Sequence, residues 1–217
     1  QFEKENPNVI NWNIPNKNGM TPLHLAARGK YADIVDILIN DPLICPHVDI
    51  NAVATGEFEN GRTPLSFACE KGDLETVSLL LDDKQEDSSN PFSFNKIVTN
   101  NNEGKSIRGS LCDAKSECDV TIKSKAAHQR GMSALHYACK ASSVDVVKLL
   151  FKHGTFNINL KANGKCCLYL ACKHDRVDTV KLLLEQEGID VNVKTPSGIT
   201  PLMAACENGR WQIVEML

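Results

Sequence analysis

The chain has 217 residues, 42% apolar and 24% charged, a balance that suits a folded protein of one or two compact domains. Its 24 basic and 27 acidic residues leave a net charge of −3, so no excess of positive charge is available to hold a phosphate backbone, and nucleic acid is a poor first choice of partner. Apolar runs such as 37–39 and 182–184 fall far short of the roughly 20 residues that cross a bilayer.

After an opening stretch at 1–13, the first clear element is GMTPLHLAA at 19–27, followed by ADIVDILI at 32–39. Thr21 can accept from an orphan backbone N–H at a helix start, and Pro22 costs no helical hydrogen bond there, so a capped helix is expected at that point. In the second run, apolar residues three and four apart draw one stripe along another helix. A slightly long loop with two prolines follows at 40–48, then Asp49-Ile-Asn51, an acidic tip at Thr55–Asn60 carrying Glu57 and Phe58, and a turn glycine at 61. The pair of elements then returns as GRTPLSFAC (61–69) with LETVSLLL (74–81).

A long stretch at 83–117 contains no further copy; Ile107, Leu111, Ala114 and Cys118 lie at helical spacing within or beside it. Asp119-Val-Thr121 and a basic tip at Lys123–Arg130, with Lys125, lead into GMSALHYAC (131–139) and VDVVKLLF (144–151). Two more copies follow: Asn157-Ile-Asn159 with GKCCLYLAC (164–172) and VDTVKLLL (177–184), then Asp190-Val-Asn192 with GITPLMAAC (198–206) and WQIVEML (211–217). The cap positions Thr21, Thr63, Ser133, Cys166 and Thr200 are separated by 42, 70, 33 and 34 residues.

This T-P-L-H box at a period near 33 resembles the ankyrin-repeat family over nearly the whole chain outside one insertion. The resemblance implies an all-α ankyrin-repeat solenoid of helix-turn-helix units joined by β-hairpin fingers. As one domain over 1–217, it has the tail of a preceding repeat at 1–13, repeats near 18–48, 49–82, 119–155, 157–188 and 190–217, and the insertion at 83–117. A lone helix pair has too little core to fold, so each layer repeats the same cap and the same packing face. The family's box histidine, which ties adjacent layers, survives as His24 and His136, whereas Ser66, Tyr169 and Met203 replace it elsewhere. Cys166 and Cys167 replace Thr and Pro, which predicts a weaker cap in the fourth unit, and Ser142 and Asp175 stand where glycine is usual between the helices. The chain ends inside a helical pattern and reads as a piece of a longer protein.

Partners of this family are gripped by finger residues and the exposed end of the first helix, on the concave surface. Position by position, that implies partner-binding roles for Met20, Arg28, Glu57, Phe58, Arg62, Glu70, Lys71, Lys125, Arg130, Met132, Lys140, Lys165, Lys173, His174, Ile199, Glu207 and Asn208. Met20, Met132 and Ile199 are expected to face solvent, as apolar groups beside charges suit a protein interface. The two charged finger tips could instead pair with each other.

Nine cysteines cannot pair completely, and Cys69, Cys139, Cys172 and Cys206 share one register, six residues after the cap, with Ala27. A small residue there points to a tight helix contact. Cys112, Cys118 and His128 match no common zinc spacing, and no nucleophile motif or phosphate loop is present, so no catalytic residue, cofactor or metal is expected. The leading expectation is therefore a non-enzymatic scaffold that binds a protein, with no nucleic acid and no membrane insertion, located inside the cell in cytoplasm or nucleus. The alternative is a spacer or regulatory segment of a larger enzyme, channel or receptor.

Overall fold

The computed structural model describes residues 10–56, 61–81, 132–153 and 156–217. The two charged finger tips beyond residue 56, the short helix expected near 107–118 and the cysteines at 112 and 118 lie outside them.

Five helix pairs follow one another: α1 (Pro22–Gly29) with α2 (Ala32–Asn40), α3 (Pro64–Lys71) with α4 (Leu74–Leu81), α5 (Ala134–Lys140) with α6 (Val144–His153), α7 (Cys167–Lys173) with α8 (Val177–Leu184), and α9 (Pro201–Glu207) with α10 (Trp211–Met216). First helices touch first helices (α1 on α3, α3 on α5, α5 on α7, α7 on α9), and the second helices stack likewise from α2 to α10. The fold is thus an ankyrin-type helical stack. The layer of α3 and α4 rests directly on that of α5 and α6.

The caps explain why each first helix begins where it does. The Thr63 and Thr200 hydroxyls accept from the N–H of Ser66 and Met203 at 3.3 and 3.2 Å. In the fourth layer the Cys166 sulfur accepts from the Tyr169 N–H at 3.4 Å, so this helix is capped by a weaker acceptor rather than left open.

Where the first helix turns into the second, the chain adopts a left-handed conformation at Lys30, Gly72, Asp175 and Gly209, with φ between 61° and 67°. Only glycine takes this region without strain. Lys30 occupies the glycine register in the first layer. The third layer avoids the conformation: α5 ends in an extended Ala141, with φ −68° and ψ 171°.

Among the described residues the fingers form no strand: Ala162 and Lys165 make one isolated bridge, closed by Asn163 and Gly164 at positive φ as a tight two-residue turn requires, and the Ala54 N–H donates to the Arg62 carbonyl at 2.8 Å. Neighbouring fingers touch closely enough that a side chain on Gly19 would run into Thr55, and one on Gly164 into Pro196.

Two sets of polar ties join the layers. The Thr21 N–H donates to His24 Nδ1 at 3.1 Å, so the Nε2–H is the proton donated to the Arg62 carbonyl in the next layer, at 3.1 Å. His136 repeats this, with Ser133 on Nδ1 and the Leu160 carbonyl on Nε2 at 3.0 Å. At the base of the fingers, the Asn13 side chain donates to the His47 carbonyl and accepts from the Asp49 N–H; Asn159 does the same with Gly188 and Asp190. These two Asn-x-Asn triplets are therefore structural rungs, and each, like the triplets at Asp49 and Asp190, is also closed locally by the side chain two residues before.

The small residues of the shared register, Ala27, Cys69, Cys139 and Cys172, are wholly buried, whereas Cys206 in the last layer is exposed. The seven cysteines among the described residues are all free thiols.

Two tests follow. Replacing Lys30 by glycine removes a left-handed side-chain penalty and is expected to raise stability by about 1 kcal/mol in urea unfolding. Burial holds the His24 imidazole below its ordinary value, against the pull of the Arg62 carbonyl. The unfolded chain binds that proton more readily, so the contribution of His24 is fully present above about pH 6.5 and is lost as pH falls toward the depressed folded value. Unfolding at pH 7.5 and 5.5 should show a smaller loss on acidification for His24→Gln than for the parent.

Candidate functional site

The predicted contact residues sort by depth. Arg28, Lys71, Lys173, Glu207 and Asn208 are exposed, and Glu70, Met132, Lys140, Lys165, His174 and Ile199 are half-buried. Glu57, Phe58, Lys125 and Arg130 lie outside the described residues.

Two side chains depart from the expectation of a solvent-facing contact. Met20 is 2% exposed and belongs to the core, because the second finger closes on the first at Gly19; only the Arg28 Nη1 reaches its sulfur, at 3.9 Å. Met132 and Ile199, at the same register, also pack against the core. These three positions therefore supply no projecting apolar groups.

Arg62 is 4% exposed. Its guanidinium lies 3.8 Å from the centre of the Phe67 ring and 4.3 Å from that of Tyr137, and it donates to the Glu70 carboxylate. His24 meets Phe67 edge-on at 5.9 Å. A buried column, His24, Phe67, Arg62 and Tyr137, thus crosses three layers. Arginine suits it because a flat, weakly hydrated cation can stack on rings and still bond a carboxylate. Burial works to raise the Glu70 carboxyl, but the Arg62 hydrogen bond and charge, with Lys140 at 3.7 Å adding to them, hold it below the usual carboxylate range.

Arg62 and Glu70 are consequently structural first. Arg62 is ordered by contacts in its own layer and the next, leaving little of it for a partner. Position counting also passes over Arg176, whose Nε donates to the Lys140 carbonyl at 3.1 Å and whose counterpart Arg210 pairs with Asp175 at 3.2 Å. The signal available was the recurrence of arginine just before the second helix in the last two units.

Several of the buried thiols are held in their protonated, unreactive form. Burial pushes the Cys69 thiol up, burial and the neighbouring Cys166 push Cys172 up to about 12, and contact with the Cys139 thiol, with burial, raises Cys167 well above the ordinary range. Among the described residues no three His, Cys, Asp or Glu side chains are grouped to hold a metal, and no helix is long and apolar enough to cross a membrane.

The family model described as ankyrin repeats (3 copies) matches residues 3–91 and 97–195, and that of the single ankyrin repeat matches 197–217. The chain belongs to the ankyrin-repeat family. Ankyrin repeats are in general protein–protein interaction modules.

Arg62→Ala should destabilise the fold by about 2–3 kcal/mol, the partial exposure of Glu70 softening the cost of a broken buried pair, and Arg62→Lys by less. Urea unfolding of the two variants checks the order.

Proposed function

We propose that this chain is a non-catalytic scaffold that holds a partner protein on the concave face made by its fingers and first helices. The observation that carries the reading is the sorting of side chains by depth. The buried thiols and the box histidines are used up as packing and layer ties, whereas Arg28, Lys71, Lys140, Lys165, Lys173 and Glu207 are left wholly or partly open. A rigid helical floor carrying varied charge is suited to recognition, because ordering costs are met when the protein folds rather than when it binds.

Met20 and Arg62, although named by register, hold that floor in shape instead of touching the partner. Exposed charges contribute through encounter rate and selectivity more than through raw affinity.

The test compares affinity capture by the parent, by Lys140→Glu/Lys173→Glu, and by Lys148→Glu on α6, scored by quantitative mass spectrometry. Proteins held on the concave face should fall by about tenfold with the double reversal and stay level with the α6 change. Equal capture by all three would remove the concave face from the reading.

A further inference from the structure

Besides single basic side chains on the first and second layers, Arg28 and Lys71, this face carries a group of them where the third and fourth layers meet. Lys140 ends α5, Lys173 ends α7 with His174 next to it, and Lys165 closes the finger turn that leads into α7, its N–H and C=O both bonded to Ala162. The Arg176 Nε–H on the Lys140 carbonyl ties the ends of these two helices together.

Among the described residues, little neutralises the cluster. Glu70 reaches Lys140 at 3.7 Å but is already engaged by Arg62, and Asp175 is taken by Arg210. Lys165 and Lys173 form no ion pair among the described residues. Burial, followed by the charges of Lys140, Arg176, Lys173 and Lys165, keeps His174 below its ordinary value, so near neutral pH it is an uncharged hydrogen-bonding group among cations.

Glu207 stands exposed on the layer after the patch. Stacked helices lie about 8–10 Å apart, so the basic stretch meets an open acid one layer beyond α7. A polyanion running that way would meet that acid. Nor is an aromatic face offered for base stacking, since Tyr137 and Tyr169 are buried.

We propose that this patch receives an extended acidic segment of a partner protein, its Asp or Glu carboxylates set against Lys140, Lys165 and Lys173. The inference rests on the reading of this face as the partner-binding one. An extended chain advances about 3.3 Å per residue, so carboxylates about three residues apart reach adjacent layers.

The experiment is fluorescence polarisation with three labelled probes: a peptide carrying glutamate at every third residue, its glutamine counterpart, and an oligothymidine of equal charge. The glutamate peptide should bind at least about tenfold more tightly than either of the others and weaken severalfold between about 50 and 200 mM salt. Lys165→Glu/Lys173→Glu should cost about tenfold or more, with Lys165→Gln/Lys173→Gln as the milder variant if the reversal disturbs folding, while Lys148→Glu leaves binding within about twofold. No binding of the glutamate peptide, equal binding by the patch variants, or equal or tighter binding of the oligonucleotide would overturn the proposal. Where partner capture still falls on reversal of Lys140 and Lys173 yet the glutamate peptide does not bind, the acidic chemistry fails and the concave face stands.

Discussion

Burial of one helix pair against the next is the constraint on which everything else in this protein depends. A pair such as α1 and α2 cannot enclose its own apolar stripe, and Ala27, Leu38 and Ile39 leave water only because α3 and α4 cover them. Close approach of successive first helices needs a small side chain in the shared register, which is why alanine or cysteine fills it in every layer. Approach that close also leaves polar backbone at the finger ends near one another, and the box histidines and finger asparagines satisfy it by hydrogen bonding across the gap.

The parts of this arrangement that could be read in the sequence are those set by local rules. Cap positions, helix pairs and the small-residue register each follow from a few neighbouring residues, and they recur often enough to be recognised despite unequal spacing. His24 was legible as a tie between layers through its box. The departures come from contacts between distant residues. Nothing near Met20 announces that the second finger will close over it. The depth of Arg62 depends on Tyr137, more than seventy positions further on, so an arginine in a surface register reads as a surface residue. The fourth cap is weaker, as the loss of Thr from the box implies, because sulfur accepts a hydrogen bond less strongly than a hydroxyl does.

The candidate face shows the same division. Register alone located the open charges Arg28, Lys71, Lys173 and Glu207, since a side chain at the end of a short first helix has few ways to turn. It could not separate them from Glu70, whose carboxylate is spent largely on Arg62 inside the protein. Nor could it find Arg176, which acts from the start of a second helix and shapes the positive cluster through a backbone carbonyl rather than through its own exposure. Charge in this protein therefore holds the layers together where it is sunk and, on the proposed reading, selects a partner where it is not. Which use applies is decided by what lies in the adjoining layer.

The direct seating of α3 and α4 on α5 and α6 makes covalent continuity at that junction dispensable in principle. A polypeptide severed between residues 82 and 131 would still present matching halves, with Arg62 on one piece and the Tyr137 ring on the other. The junction is thus a natural place to divide the molecule into two fragments that reassemble, or to graft foreign sequence without changing the pitch of the coil.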